Sequence, residues 1–296
     1  MIPSLRSIRQ RTGMVSTGGW QRWKRLMKVD VEEFNMVRET KVKFLSKPKL
    51  NNPIFIEGLP GIGYIGRNAA GYLVDELGAV KFAELYSPHF PPVVLMDPDK
   101  NGMIVGLKNE FYYYKAKSKS ERDMVILIGD SQSMDPQGHY VIVDVILDTL
   151  ETLGVKEMVT IGGFGTGEIN EESSKVFGAA ISPERVKTFE KLGVQFKDTS
   201  IGQIIGASGL LISLGEQRSI GGVCLMGETS GLLLSDPKST EAVLGVLTKY
   251  LNMSLDMTKI EKRVKEIEKM IEKMENLQTK LATHSKEHDD SLGYIG

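Results

Sequence analysis

The stretch Pro53-Ile54-Phe55-Ile56-Glu57-Gly58-Leu59-Pro60-Gly61-Ile62-Gly63-Tyr64-Ile65-Gly66 runs from an apolar segment through four glycines into a helical pattern. Pro53–Glu57 reads as a buried strand, because a short continuous apolar run bounded by breakers suits a strand covered on both faces. Residues 64–77 place Ile65, Ala69, Tyr72, Leu73 and Leu77 on one side of a helix, and Gly78 stops it. Gly61, Gly63 and Gly66 match G-x-G-x-x-G between a strand and a helix, the context of a dinucleotide-binding turn. Glu84 lies 18 residues beyond Gly66, near the end of the next strand, where a ribose-binding acid is expected. The glycines begin one turn early, at Gly58, and only Arg67 stands near as a cation. A glycine-rich corner that packs the helix closely on the sheet explains the same residues.

Outward from this corner the pattern repeats. Lys81–Tyr86 reads as a strand, and Val93–Met96 and Met103–Leu107 flank an Asn101-Gly102 hairpin turn. Glu110–Lys115 extends this into a meander, Met124–Gly129 reads as a central strand, and Tyr140–Leu153 as a helix ended by Gly154. Strands at Glu157–Ile161 and Gly222–Met226 and helices near 184–192 and 239–252 complete the set. Strands alternating with helices predict an α/β fold of three layers, with a mostly parallel sheet and an inserted β-hairpin.

The chain divides at its ends. Residues 1–35 form a basic extension, with seven Lys or Arg and no acid before Asp30. Targeting peptide, nucleic-acid arm, disordered extension and translated upstream sequence, with a start at Met27 or Met36, are its readings. The α/β core is placed at 36–253. From 254 to 283 a long helix is expected, with Met257, Ile260, Val264, Ile267, Ile271, Met274, Gln278 and Leu281 in alternating three- and four-residue steps. That stripe serves a projecting, self-associating spacer, or it folds back on its own domain. Residues 284–296 are read as a polar tail.

Composition narrows the function. The 296 residues are 41% hydrophobic and 25% charged with net charge −1, which argues against a generic nucleic-acid binder. The single cysteine, Cys224, cannot form an internal disulfide, and no apolar run reaches the ~18 residues that span a bilayer. A cytoplasmic protein without membrane or nucleic-acid partners is expected. His89, His139, His284 and His288 have no evident partners, and no metal is expected. Glu57, Asp130, Glu168 and Glu228 end strands or follow them, so they are candidates for one acidic rim beyond the carboxyl ends of the sheet. Gly129-Asp130-Ser131-Gln132-Ser133 misses the G-x-S-x-G nucleophile elbow at its last position.

Four motifs occur in order: Gly58-Leu59-Pro60-Gly61-Ile62-Gly63, Gly129-Asp130-Ser131-Gln132, Gly162-Gly163-Phe164-Gly165-Thr166-Gly167 and Gly227-Glu228-Thr229-Ser230-Gly231. On these the chain resembles the archaeal members of the second proteasome assembly chaperone family across roughly 40–253, and its long helix plus tail resembles the B-type branch. The resemblance implies a phosphorylase/hydrolase-like fold and a homo-oligomer, for which a tetramer is one expected state. It also implies an ATP-independent chaperone or activator with no catalytic residues and no cofactor. C-terminal tails are implied to dock on the α subunits of the proteasome core particle, here Leu292, Gly293, Tyr294, Ile295 and Gly296. The family's tail has a hydrophobe, then Tyr, then one last residue; in this chain Tyr294 is third from the end and follows Gly293. Ile260, Val264, Ile267, Ile271 and Met274 are assigned to the oligomer or spacer helix. The alternative is a nucleotide-dependent, ligase- or phosphorylase-like enzyme using Gly61, Gly63, Gly66 and Glu84.

Overall fold

The computed structural model describes residues 39–97, 101–118, 121–167, 174–197, 202–262 and 264–266. The basic extension, Glu168, Ile267, Ile271, Met274 and Leu292–Gly296 lie outside the described residues. The elements in chain order are β1 (Lys41–Phe44), β2 (Ile54–Gly58), a 3-10 turn (Ile62–Tyr64), α1 (Ile65–Leu77), β3 (Val80–Tyr86), β4 (Val94–Asp97), β5 (Met103–Gly106), β6 (Asn109–Tyr114) and β7 (Met124–Gly129). There follow α2 (Pro136–Thr152), β8 (Glu157–Gly165), β9 (Val176–Ala180), α3 (Pro183–Glu190), α4 (Ala207–Gln217), β10 (Gly221–Thr229) and α5 (Pro237–Leu251).

Eight strands form one sheet in the order β1-β3-β6-β7-β2-β8-β10-β9. The centre β7-β2-β8-β10 is parallel, and the pairs β1-β3, β3-β6, β6-β7 and β10-β9 are antiparallel. Five of the eight strands (β2, β3, β7, β8, β10) therefore run in one direction. β4 and β5 stand apart as a two-stranded ribbon. At its turn Asn101 and Gly102 both take left-handed backbone, φ 53° and 76°, as an Asn-Gly pair permits.

The central strands are apolar along most of their length because both faces are covered. Ile54, Ile56, Ile126, Val159, Val223 and Leu225 point to one side, where α1 adds Ile65, Ala69 and Leu73 and α5 adds Val243, Leu244 and Leu247. Phe55, Val125, Leu127, Met158, Cys224 and Met226 point to the other, against Ile142, Val143 and Ile146 of α2 and Leu211 of α4. Period-two alternation thus feeds two separate cores, and the three expected layers are present.

Caps set the helix boundaries. Asp135, Ser182 and Asp236 accept from the backbone N–H three residues on, each followed by proline, and so start α2, α3 and α5. These starts fall one to four residues earlier than the apolar pattern alone places them. The segment after α5 turns back onto the domain. Tyr72 donates to the Asp256 carbonyl at 2.5 Å, Lys259 pairs with Glu76 at 2.6 Å, and Ile260 and Val264 are buried. The core thus extends past 253 to at least 264, and this part of the stripe packs on its own domain. Among the described residues no helix is long and apolar enough to cross a membrane.

The sheet's last strand is bordered in turn. Gly178 donates to the Gln195 carbonyl at 2.8 Å, and the Gln195 N–H returns to the Val176 carbonyl at 2.9 Å.

Candidate functional site

The four glycine motifs meet at the carboxyl edge of the parallel strands, where an α/β fold holds ligands. β8 and β10 run to Gly165 and Thr229, so Gly162-Gly163-Phe164-Gly165 and Gly227-Glu228-Thr229 are strand and not loop. Their glycines answer to close packing. A Cβ on Gly66 would stand 2.4 Å from the Ile161 carbonyl oxygen, and one on Gly163 would stand 2.4 Å from that of Ile62. The first turn of α1 therefore lies against the strand ends with nothing between them. Gly61 is different, because a Cβ there meets nothing within 4 Å. α1 starts without a side-chain cap, through Gly63 and Tyr64 in left-handed backbone.

Glu84 does not complete a nucleotide site. Spacing puts it on the strand after α1, but β3 is separated from β2 by β6 and β7. It sits in a charged cluster, accepting from Lys81 at 3.1 Å, Lys108 at 2.5 Å and Tyr86 at 2.8 Å. Burial raises its pKa, but these bonds outweigh that and hold it at about 2. The same cluster takes Glu110, bonded to Lys81 and Lys108 at 2.9 Å each. It ties β3 to β6.

The three described rim acids are each held by separate partners. Asp130 accepts the Lys108 N–H at 3.1 Å, and Glu228 accepts the Lys175 N–H at 3.2 Å. Glu57 turns inward and is fully buried, accepting from the Leu59 N–H and the Ser208 hydroxyl, both at 3.0 Å. Burial without a cation pushes it up to about 7, against the opposing pull of those hydrogen bonds. No group of three or more His, Cys, Asp or Glu that could hold a metal ion occurs among the described residues.

Nucleophiles are likewise absorbed into structure. His89 Nδ1 lies 2.8 Å from Asp135, the cap of α2, and Ser133 donates to the Asp135 carbonyl at 2.8 Å. The ring faces the carboxylate and the hydroxyl faces a carbonyl, which is not how a base activates a serine. Cys224 is buried, and desolvation pushes its thiol up to about 12. Gln132 has a role that its motif did not announce. Its amide donates to the Pro60 carbonyl at 2.7 Å and accepts from the Ala207 N–H at 2.9 Å, locking the first glycine loop to the start of α4.

Beside the exposed Asp130, the edge presents apolar side chains. Ile62, Tyr64, Ile205, Leu232 and Leu234 are exposed along the loops, and so are the β4–β5 ribbon, Met134 and Tyr140. An edge of close-packed backbone rimmed by exposed hydrophobes suits contact with a macromolecule better than chemistry on a small one.

The PAC2 family model matches residues 55–275. The chain belongs to the PAC2 family. An uncharacterised protein from Methanocaldococcus jannaschii, MJ1210, is 38% identical over 250 residues, covering 83% of this chain and 93% of its own. Among solved structures, the chain is similar to Pyrococcus furiosus PbaB, described as an archaeal proteasome activator. That pair shows 38% identity and a TM-score of 0.75 over 80% of this chain and 99% of PbaB. Pyrococcus furiosus PbaA, described as an archaeal homolog of proteasome-assembly chaperone, is 27% identical with a TM-score of 0.62 over 82% and 99%.

Proposed function

We propose that this chain is an archaeal, cytoplasmic proteasome assembly chaperone or activator. It self-associates and engages the α subunits of the core particle through its C-terminal residues Leu292–Gly296, without ATP. The observation that carries the reading is the 38% identity to the activator PbaB along nearly the whole of that protein. The close-packed glycine corner and the displaced Glu84 support a binding role over the nucleotide-enzyme alternative. Tyr294 offers a ring to bury and a hydroxyl to bond, and a terminal carboxylate suits a basic pocket between subunits. Because Ile260 and Val264 are anchored on the domain, the spacer begins beyond residue 264. Ile267, Ile271 and Met274 continue the stripe, and helix from 267 to 283 would reach about 25 Å at ~1.5 Å per residue. Several weak tails on one oligomer gain avidity of ~10²–10⁴ without new contacts.

The test compares the full chain, a deletion of Leu292–Gly296, and Tyr294→Ala for binding to a purified archaeal core particle and for stimulation of peptide hydrolysis. Both variants are expected to lose most binding and stimulation. Equal activity of all three would remove the tail from the mechanism.

A further inference from the structure

A cavity of about 360 Å³ lies between α1, the start of α5 and the segment that returns over them after α5. That volume is within the range of small-ligand sites. Tyr72 and Ile260 give it apolar wall, and the bonds from Tyr72 to Asp256 and from Lys259 to Glu76 hold its outer side in place. Lys259 and Glu76 both line it and satisfy each other.

Charges of opposite sign remain along α1. Arg67 is half-buried, and among the described residues its one hydrogen bond runs from Nε to the Gly129 carbonyl at 3.0 Å. Its Nη1 lies over Gly71, where a Cβ would stand 2.9 Å away. Tyr112 feels its charge, but the Tyr112 hydroxyl donates to Glu110, a carboxylate already taken by Lys81 and Lys108. Four of the five guanidinium N–H groups thus have no acceptor among the described residues. Asp75 follows Gly71 by one turn on the same face of α1 and is exposed, and Glu266 lines the cavity from the returning segment. Among the described residues no cation is bonded to either acid. A partly desolvated charge without a counter-ion is costly, and a ligand of opposite charge recovers that cost.

We propose that the cavity binds a small zwitterion, of the size of a dipeptide or tripeptide with free ends, with its carboxylate on the Arg67 guanidinium and its ammonium toward Asp75. The forked guanidinium donors match a carboxylate, which can take two of them at once. The lining sets two cations, Arg67 and Lys259, against three acids, Asp75, Glu76 and Glu266, so it disfavours a polyphosphate. With the guanidinium level with Gly71 and Asp75 one turn on, the two poles stand on the order of 5–10 Å apart. The ends of a peptide of two or three residues have that separation, at ~3.3 Å per residue. Tyr72 and Ile260 lie where its side chains would rest. The site is independent of the proposed tail docking, since no residue of Leu292–Gly296 takes part in it.

Calorimetric titration of the full chain tests this with trialanine, trialanine amide, N-acetyl-trialanine, acetate and inorganic phosphate. Trialanine is expected to bind with millimolar or tighter affinity, and blocking either end to weaken it at least ~10-fold, as loss of a charge-assisted contact does. In Arg67→Gln the free and amidated peptides should bind alike; in Asp75→Asn the free and acetylated peptides should bind alike. Asp75 is exposed, so its variant keeps the fold and carries the test should Arg67→Gln not. Four results would each overturn the proposal. They are no binding of trialanine at ~10 mM, equal affinity for its free and blocked forms, and variants that weaken all forms by one factor, which marks a structural role. The fourth is acetate or phosphate binding as tightly as trialanine, which reduces the cavity to an anion site.

Discussion

Glu57 and Ser208 meet 3.0 Å apart beneath the first turn of α4, with no cation beside the carboxylate and no solvent at it. The carboxyl pKa is about 7 in the fold against 4.5 for the free group. Its folded form thus holds a proton over a range where the unfolded chain has released it. Its contribution to stability is complete below pH 4.5 and is lost as pH rises to 7 and beyond, a total of about 3 kcal/mol. Glu57→Gln keeps the acceptor and cannot ionise. The variant is therefore expected to melt near the unmodified protein at pH 5 and several degrees above it at pH 8. Parallel melting profiles across that range would show that Glu57 does not titrate in the fold.

The glycines separate packing from ligand binding. Gly66→Ala drives a methyl to 2.4 Å from a backbone carbonyl, so a loss of ~3 kcal/mol or more is expected in urea unfolding. Gly61→Ala meets open space at φ −157°, and a change within about 0.5 kcal/mol is expected. Were the motif a phosphate cradle instead, Gly66→Ala would fold well and lose a nucleotide-induced rise in melting temperature.

Gln132 closes the loop between Pro60 and Ala207. Its truncation to alanine leaves one carbonyl and one amide without their partner, at a cost of about 1–2 kcal/mol. Hydrogen exchange should then quicken at Ala207 and along the first turn of α4. Unaltered exchange there would mean that the bridge is not maintained in solution.

Ile260 is 3% exposed in the core that α1 and α5 share. Ile260→Ala is expected to cost ~2–4 kcal/mol, as a cavity on a packed surface does. Truncation after Met253 should destabilise the domain by at least as much, since it removes Ile260, Val264 and the Lys259–Glu76 pair together. Unfolding midpoints identical to the full chain would show that the segment is merely laid on the surface.

Local chemistry was readable wherever a local rule governs it. Pro53–Glu57, Met124–Gly129 and the Asn101-Gly102 hairpin follow from apolar runs and turn residues, and the three-layer architecture follows from their alternation with helices. α4 was missed because Gly209 and Gly215 interrupt its pattern. A Cβ at Gly215 would stand 2.4 Å from the Met158 methyl, a demand of distant packing that neighbours in sequence do not display. Glu84 was misplaced for a related reason: its spacing from Gly66 is right, but the order in which strands enter the sheet is set by long-range pairing. β1 and β9 are short edge strands without a strong period, and they too depend on their partners. Most of the edge motifs were legible as a set and illegible as parts, since their glycines serve contacts between segments about a hundred residues apart.

The way the sheet ends limits how copies of the chain can join. On one side Gln195 has already taken hydrogen-bonding positions along β9. On the other, β1 is four residues long and carries Lys41 and Lys43, the charges with which natural edge strands discourage further pairing. Extension of the main sheet from molecule to molecule is thereby disfavoured at both margins. Any contact between copies then falls to side-chain surfaces, and the sheet itself does not propagate as a ribbon.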